Sequence, residues 1–218
     1  MFKKKPYFIV FEGIEGSGKS YQCKKLFKNL KKKGYDVLLT REPGGTANAE
    51  KIRKLILTDY FVKNKNKNFD RYTDTLLYLA ARNEHVKNKI LPALKKKQIV
   101  ICDRFIDSTI SYQVYGKKVK QKFIENIHNE ILKNLRPNLT FILKVNLKSS
   151  RKRLSKRKKR NRYDNFSNKF YQIAQKGFLY KKNNKKKYII FDSSENTPRL
   201  EKKILEIVLK RLQVRVSK

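Results

Sequence analysis

Residues 13–20 carry the clearest chemistry in this 218-residue sequence. They match the pattern G-x-x-x-x-G-K-[ST], which binds the phosphates of a nucleotide when it joins a strand to a helix. The backbone N–H groups of such a loop point at a polyphosphate, Lys19 places its ammonium on the β and γ oxygens, and Ser20 offers a hydroxyl to Mg²⁺. We therefore predict a nucleotide site made of Gly13, Ile14, Glu15, Gly16, Ser17, Gly18, Lys19 and Ser20.

A second group of charged side chains follows the next two apolar runs. Arg41 lies in the segment TREPGGT at residues 40–46, and Asp103 and Arg104 end the run IVICDR. The carboxyl ends of parallel strands line the ligand crevice of an open α/β sheet, so these residues should face the phosphate loop. Asp103 would then hold Mg²⁺ together with Ser20, and Arg104 would bind a phosphate through its guanidinium fork. The alternative is that Asp103 and Arg104 only form a structural ion pair.

The elements that would position these residues alternate along the chain. Short apolar runs separate longer amphipathic ones, which is typical of βαβ units around a parallel sheet. The predicted strands cover residues 7–12, 36–40, 99–103, 139–145 and 188–191. The predicted helices cover residues 19–33, 46–57, 70–94, 121–134, 149–159, 166–182 and 198–214. We therefore predict an α/β fold with a five-stranded parallel sheet surrounded by helices.

The composition is strongly basic. The chain has 56 Lys and Arg residues against 18 Asp and Glu residues, which gives a formal net charge of +38. Such a charge favours nucleic-acid binding, but the abundance of Lys, Asn, Ile, Tyr and Phe would also follow from AT-rich codons. The sequence contains neither a basic stripe interleaved with aromatic residues nor a known nucleic-acid-binding module. We therefore expect no specific nucleic-acid partner.

Cysteine usage and hydropathy indicate a compartment. Cys23 and Cys102 lie far apart, in a predicted helix and a predicted strand, which is the pattern of a reduced protein and not of a disulfide framework. The basic start of the sequence is followed by an apolar stretch of only about six residues, too short for a signal peptide or a membrane span. We therefore expect a cytoplasmic protein that does not bind a membrane.

Several motifs together resemble the thymidylate kinase family over nearly the whole chain. They are EGIEGSGKS at 12–20, TREPGGT at 40–46, YLAAR at 78–82, DRFIDSTISYQ at 103–113, RPNLTFIL at 136–143 and FYQIAQKGFLY at 170–180. Phosphate loops are common, whereas TREPGGT together with DR-x-x-x-S-x-x-x-Y-Q is nearly diagnostic. The resemblance implies a three-layer P-loop nucleoside monophosphate kinase fold and phosphoryl transfer from ATP–Mg²⁺ to dTMP. It also implies one domain over residues 1–218, with a short lid at about 148–165.

The resemblance gives roles to residues of the substrate site. Arg41 and Arg104 would hold the phosphate of dTMP, because a guanidinium suits an anion. Tyr78 would stack on the thymine, Arg82 would hydrogen-bond a base carbonyl, and Thr109 would help to fix the base edge.

Further residues would recognise the sugar. By resemblance, Tyr112 lies where the 2′-hydroxyl of a ribose would project, and Glu15 accepts a hydrogen bond from the 3′-hydroxyl, so both would favour deoxynucleotides. Ser108 and Gln113 complete the predicted substrate site.

The cationic run at residues 151–162 lies within the predicted lid. The phosphate loop has Glu15 and no arginine, so the sequence resembles the bacterial class, in which the lid supplies the catalytic arginine. Arg157 and Arg162 are the candidates, and Lys19 and Arg104 would add electrostatic stabilisation of the transferring group. A solvated basic face shaped by codon bias is the alternative interpretation.

Two further implications concern partners and competing functions. The resemblance implies a homodimer formed through the helices at 70–94 and 121–134. A kinase for a different nucleoside monophosphate would share this fold with another base pocket. A basic nucleic-acid-binding protein that uses the phosphate loop as an ATPase is the alternative from another class.

Overall fold

The computed structural model describes residues 5–57, 69–157, 162–180, 183–184, 186–194 and 198–213. Within these ranges, five strands form one sheet: β1 Tyr7–Glu12, β2 Val37–Arg41, β3 Ile99–Asp103, β4 Leu139–Lys144 and β5 Tyr188–Asp192. Every pairing is parallel, and the strand order is β2-β3-β1-β4-β5. The predicted five-stranded parallel sheet is therefore confirmed.

Helices cover both faces of this sheet. They are α1 Lys19–Lys32, α2 Ala47–Leu57, α3 Arg71–His85, α4 Leu91–Lys95, α5 Ile106–Thr109, α6 Gln121–Leu132, α7 Leu147–Ser155, α8 Asn168–Phe178 and α9 Pro198–Gln213. Alternate residues of β1 enter two different cores: Ile9 and Phe11 pack with side chains of α1 and α9, whereas Phe8 and Val10 pack with Val86 and its neighbours. This alternation follows from the two-residue period of a strand and produces the predicted three layers.

The helix predicted over residues 70–94 is not one continuous α-helix. A π-helical segment, Val86–Ile90, separates α3 from α4. Pro92, at the start of α4, has no backbone N–H, and a proline ring crowds the carbonyl four residues earlier. A wider turn before the proline accommodates both constraints, which the apolar spacing of the sequence could not reveal.

The helical segment after β3 was not predicted. Residues 106–109 form α5, and Ile110–Gly116 continue it as a π-helical turn. The local sequence IDSTISY is rich in β-branched and serine residues, which are poor helix formers. The first turn is stabilised from outside, because the Glu12 carboxylate accepts hydrogen bonds from the N–H groups of Phe105 and Ser108.

Other boundaries differ by a few residues from the prediction. Strand β2 lies one residue later, so that Arg41 is its last residue. Asn146 and Ser167 cap the first turns of α7 and α8, at 2.7 Å and 3.2 Å, and therefore set where these helices begin. Residues 158–161 of the predicted lid lie outside the described ranges. Among the residues that are described, no helix is both long and apolar enough to cross a membrane.

Candidate functional site

A cavity of about 730 Å³ opens at the carboxyl ends of β1, β2 and β3. The parallel register brings these ends together, since Arg41 and Phe11 both lie opposite Asp103. Most residues that were predicted to bind substrate, metal or phosphate line this one cavity: Glu15, Lys19, Ser20, Arg41, Tyr78, Arg82, Asp103, Arg104, Ser108, Thr109, Tyr112, Gln113 and Arg157. The structure therefore places side chains from distant parts of the sequence in one site.

The phosphate loop runs from β1 into α1, as the pattern requires. Gly13 has a positive φ of 142°, and a Cβ atom there would lie 2.4 Å from the carbonyl oxygen of Leu143. Lys19 Nζ donates to the carbonyl of Ile14 at 2.7 Å and to Ser17 Oγ at 3.3 Å. Burial and the charge of Arg104 lower the pKa of Lys19 to about 8. The ammonium is thus held inside the loop, where the oxygens of a polyphosphate would replace its carbonyl partner.

Side chains that sequence reasoning missed hold the loop from behind. Ser150 Oγ donates to the Glu15 carbonyl and Ser193 Oγ donates to the Ser17 carbonyl, both at 2.8 Å. Arg153 donates to the Gly16 carbonyl at 3.0 Å and to the carbonyl of Ser193 at 2.7 Å. These bonds hold the carbonyl groups of Glu15, Gly16 and Ser17 and so fix the conformation of the loop. Arg153 was noticed only as part of a cationic run, and the serines carry no sequence signal.

The predicted metal ligands lie next to each other. The Ser20 hydroxyl donates a short hydrogen bond to the Asp103 carboxylate at the mouth of the cavity. Among the described residues, no group of three or more His, Cys, Asp or Glu side chains could enclose a metal ion. Mg²⁺ commonly binds proteins through one or two oxygen side chains and takes its other ligands from water and nucleotide phosphates. The pair therefore fits Mg²⁺ bound together with a nucleotide.

Three arginines surround one part of the cavity: Arg41, Arg53 and Arg104. Sequence reasoning missed Arg53, which lies on α2 and donates to the Pro43 carbonyl at 2.6 Å. Burial and the positive charges of Arg41 and Arg104 lower the pKa of Arg53. Because cations that repel one another are stabilised by an anion between them, this cluster is a candidate phosphate subsite. Helical spacing made Arg53 resemble an ordinary surface residue of α2.

Glu15, Arg104 and Tyr112 form a connected group. Arg104 Nη2 donates to Glu15 Oε1 at 2.8 Å, and the Tyr112 hydroxyl donates a short hydrogen bond to Glu15 Oε2. The guanidinium carbon of Arg104 also lies 5.3 Å from the centre of the Tyr112 ring. Burial and the charge of Glu15 raise the pKa of Tyr112 well above its usual range. The two predicted sugar-binding residues are thus linked to the predicted phosphate-binding arginine.

The predicted base pocket is built around Arg82. This side chain is 3% exposed, and its Nε donates to Glu42 Oε2 at 2.8 Å. Nη1 contacts Thr109 Oγ1 at 2.7 Å and His128 Nε2 at 2.8 Å, and Nη2 donates to the Phe105 carbonyl at 2.8 Å. These contacts use four of the five N–H groups of a guanidinium, which leaves one on Nη2 for a ligand.

Two aromatic rings flank the base pocket. Tyr78 lies one helical turn before Arg82 on α3, and the Tyr163 ring packs edge-on against it at 6.2 Å. Tyr163, which sequence reasoning missed, also contacts Tyr112 at 5.5 Å. A planar base would fit against such faces. Gln113 Nε2 lies 3.3 Å from the buried carboxylate of Asp74, which orients the amide beside the cavity.

The predicted lid is only partly described. Helix α7 is followed by Arg157, whose Nη1 lies 2.8 Å from Asp164 Oδ1. The Arg157 side chain is 42% exposed and lines the cavity, whereas the Asp164 side chain is fully buried. The backbone of Arg162 begins a 3₁₀ turn, Arg162–Asn165, but its side chain lies outside the described part of the structure.

Comparisons with known proteins agree with this geometry. The family model described as thymidylate kinase matches residues 11–204. The thymidylate kinase of Mycoplasma capricolum is 39% identical over 209 residues, covering 94% of this chain and 96% of that protein. The thymidylate kinase of Wolbachia pipientis wMel is 44% identical over 174 residues, covering 78% of this chain and 82% of that protein. The crystal structure of thymidylate kinase from Ehrlichia chaffeensis superposes with a TM-score of 0.72 at 31% identity, covering 94% and 99% of the two chains.

Proposed function

Because the chain belongs to the thymidylate kinase family, we propose that its cavity transfers the γ-phosphoryl group of ATP to dTMP. The chain is a nucleoside monophosphate kinase, and phosphorylation of dTMP is its reaction. One observation carries the assignment of the cavity: the phosphate loop, the three-arginine cluster and the Arg82 pocket open into the same space. A donor polyphosphate, an acceptor phosphate and a planar base therefore each have a matching subsite.

Donor binding rests on the phosphate loop. We propose that the loop N–H groups and Lys19 bind the ATP phosphates, with the ammonium leaving the Ile14 carbonyl for the β and γ oxygens. The phosphate charges would also restore the pKa of Lys19, which burial lowers in the unliganded site. We further propose that Ser20 and Asp103 bind Mg²⁺ with the nucleotide. When bound, Mg²⁺ neutralises charge on the β and γ phosphates.

Acceptor binding rests on the arginine cluster. We propose that Arg41, Arg53 and Arg104 hold the phosphate of dTMP in line with the γ-phosphoryl group. The reaction needs no general base, because a phosphate monoester with a second pKa of about 6 is already ionised at neutral pH. The cluster therefore acts by positioning two anions that would otherwise repel each other. Arg157 or Arg162 would then neutralise charge on the transferring group.

Base and sugar recognition would follow from the buried network. We propose that the remaining N–H on Nη2 of Arg82 donates to the O4 carbonyl of thymine, and that Thr109 fixes the same edge of the base. Cytosine carries an amino group at position 4 and would place donor against donor. Tyr78 would stack on the ring, Tyr112 would exclude a 2′-hydroxyl, and Glu15 would accept from the 3′-hydroxyl.

We also propose that the enzyme is a cytoplasmic homodimer and that residues 1–218 form one domain. Both cysteines are buried free thiols, which agrees with a reducing compartment. Leu55 on α2 and Leu76 on α3 are 44% and 47% exposed. We propose that these exposed leucines on adjacent helices contact the second copy, and sedimentation equilibrium would measure the mass directly.

A coupled ADP-release assay with dTMP, dUMP, UMP and AMP tests the proposed function. We expect dTMP to give the highest kcat/KM, dUMP to follow, and UMP and AMP to react poorly. The Lys19→Met variant is the matched control, since it should lose turnover with every acceptor. Efficient phosphorylation of UMP or AMP without preference for dTMP would contradict the proposed base and sugar recognition.

A further inference from the structure

Glu12 is a buried carboxylate directly before the phosphate loop, and it has no role in the mechanism above. It is the last residue of β1 and is 0% exposed. Its Oε1 accepts from the Phe105 N–H at 2.8 Å and from the Ser108 N–H at 3.1 Å, and its Oε2 accepts from the Ser108 hydroxyl at 2.6 Å. All three donors belong to the segment that follows Arg104.

Arg104 depends on this segment in two ways. Its backbone has a φ of +77°, a conformation that side chains of L-residues rarely adopt. Its guanidinium is fixed on one side, because Nη1 donates to the Gly13 carbonyl at 3.0 Å and to Ser108 Oγ at 3.1 Å. With Glu15 bound to Nη2, these contacts leave Nε–H and one Nη2–H for a phosphate.

These contacts form a continuous chain from Glu12 through the Ser108 hydroxyl to Arg104. The hydroxyl donates its proton to Glu12 and therefore presents a lone pair to the guanidinium. Ser108 was predicted to bind substrate, but its oxygen already joins two protein groups. Its geometry fits orientation of Arg104 better than direct contact with a ligand.

We propose that Glu12 is a positioning residue that fixes Arg104 for the acceptor phosphate. Its Oε1 holds the backbone of residues 105–108 through two N–H groups. Its Oε2 holds the guanidinium of Arg104 through the Ser108 hydroxyl. The inference rests on the proposed function, in which Arg104 binds the phosphate of dTMP. Without Glu12, Arg104 keeps its charge but loses the orientation in which its two available N–H groups face the phosphate.

The burial of Glu12 supports a role beyond packing. Burial and the neighbouring charge of Asp107 raise the pKa of Glu12 to about 8, although the bonds from Ser108 and Phe105 and the charge of Arg104 act in the opposite direction. A buried carboxylate that desolvation disfavours is retained here in contact with three donors of one catalytic segment. An apolar residue at the end of β1 would avoid this cost.

Asp107 provides a matched control in the same segment. Its side chain is also buried, and it accepts from the hydroxyls of Tyr180 at 3.1 Å and Tyr188 at 3.3 Å. Removing this carboxylate should disturb the contacts with Tyr180 and Tyr188 while the three bonds to Glu12 stay in place, so we expect Arg104 to keep its orientation.

The experiment compares Glu12→Ala, Glu12→Gln, Ser108→Ala and Asp107→Ala with the wild type. KM and kcat are measured for dTMP and for ATP, and the melting temperature reports folding. We expect Glu12→Ala to raise KM for dTMP about 10-fold or more and to change KM for ATP by less than about twofold. Glu12→Gln should restore most of the dTMP affinity, because its amide oxygen still accepts both N–H groups.

Folding and positioning effects separate in this design. Ser108→Ala keeps both backbone bonds to Glu12 and removes only the hydroxyl that contacts the Arg104 guanidinium. We expect a smaller rise in KM for dTMP from this variant, which tests that contact even if Glu12→Ala does not fold. A rise in KM with Asp107→Ala equal to that with Glu12→Ala would overturn the proposal, as would an unchanged KM in both Glu12→Ala and Ser108→Ala. If the wild type instead prefers another monophosphate, the proposed function fails, while the KM ratios for that acceptor still test Glu12.

Discussion

Arg82 in the base pocket and Arg157 in the lid segment are both paired with a carboxylate, yet their surroundings differ. The Arg82 side chain is 3% exposed and contacts Glu42, Thr109, His128 and the Phe105 carbonyl. The Arg157 side chain is 42% exposed, and the structure gives it one carboxylate partner, Asp164. Arg82 is fixed by several protein groups, whereas Arg157 is held, within the described part of the chain, by one ion pair with Asp164.

Under the proposed function, this difference would separate selection of the base by Arg82 from catalysis by Arg157. A donor that distinguishes a carbonyl from an amino group must not rotate, because a mobile guanidinium would adapt to either base. A cation that meets charge developing during transfer must instead exchange its partner when the nucleotides bind. The Arg157 guanidinium is 42% exposed, so it can turn from Asp164 to the phosphates of bound nucleotides.

The largest expected effect on activity comes from Arg157, the arginine whose partner can be exchanged. Arg157→Ala should lower kcat by about 10³-fold, because an arginine that neutralises the transferring phosphoryl group has effects of this order. KM for dTMP should change little, and the melting temperature should fall modestly, because the buried Asp164 carboxylate loses this partner while Arg157 itself is 42% exposed. Steady-state kinetics and thermal unfolding measure both.

Lys156→Ala is the control for this prediction, as Lys156 is the neighbouring exposed cation of the same segment. It should retain kcat within about twofold, like most surface substitutions. Full activity of Arg157→Ala would contradict the role of Arg157 and direct attention to Arg162.

Substitution of Arg82, the arginine fixed by the protein, should have a smaller effect on catalysis but a larger effect on stability. Arg82→Met should raise KM for dTMP about 10- to 100-fold, because a charged hydrogen bond to the base is lost. It should also lower the free energy of unfolding by about 3–5 kcal/mol, because the buried Glu42 carboxylate would lose its arginine partner and keep the contact with His85. Titration calorimetry with dTMP and denaturant unfolding test the two parts.

The double variant Arg82→Met/Glu42→Gln separates these two effects. Removing the orphaned charge of Glu42 should recover much of the stability, while dTMP affinity should stay low. If Arg82→Met bound dTMP as tightly as the wild type, the proposed base recognition would be wrong.

The sequence predicted the fold and the candidate site where residues act through a local motif. Gly13 to Ser20 form a contiguous loop whose backbone conformation requires glycine, so the sequence predicts the loop directly. Asp103 and Arg104 end a buried strand, and the parallel sheet places them opposite Arg41. Local pattern and topology were sufficient in these cases.

Residues that act through distant partners were not predictable. Glu42 lies within the recognised TREPGGT segment, but only the fold shows that it holds Arg82 on α3. Arg53 has the spacing of an ordinary helical residue, and only the packing of α2 brings it to Arg41 and Arg104. The helix after Arg104 was missed for the same reason, because its N-terminal turn is stabilised by Glu12 from β1.

The smallest expected effect concerns Glu50, whose pair with Arg41 provides an exposed counterpart to the buried pair of Arg82 and Glu42. Arg41 Nη2 lies 3.0 Å from Glu50 Oε1, and these side chains are 55% and 41% exposed. Burial alone would raise the pKa of Glu50, but the Gly45 N–H and Arg41 lower it overall. Glu50→Gln should therefore reduce the free energy of unfolding at pH 7 by no more than about 1 kcal/mol.

The dependence on pH and salt of the stability difference between wild type and Glu50→Gln distinguishes an exposed ion pair from a buried one. A carboxyl whose folded pKa is depressed stabilises the fold above its unfolded pKa, and this contribution is lost as pH falls through the folded pKa. The gap between wild type and Glu50→Gln should therefore close below about pH 4.5, the ordinary range of a glutamate. At neutral pH, added salt should also narrow it, because exposed charges are screened. A stability difference that persists in acid and in high salt would show that Glu50 acts by packing or by its bond to Gly45. Arg41, unlike Arg82, would then gain little stabilisation from its carboxylate partner.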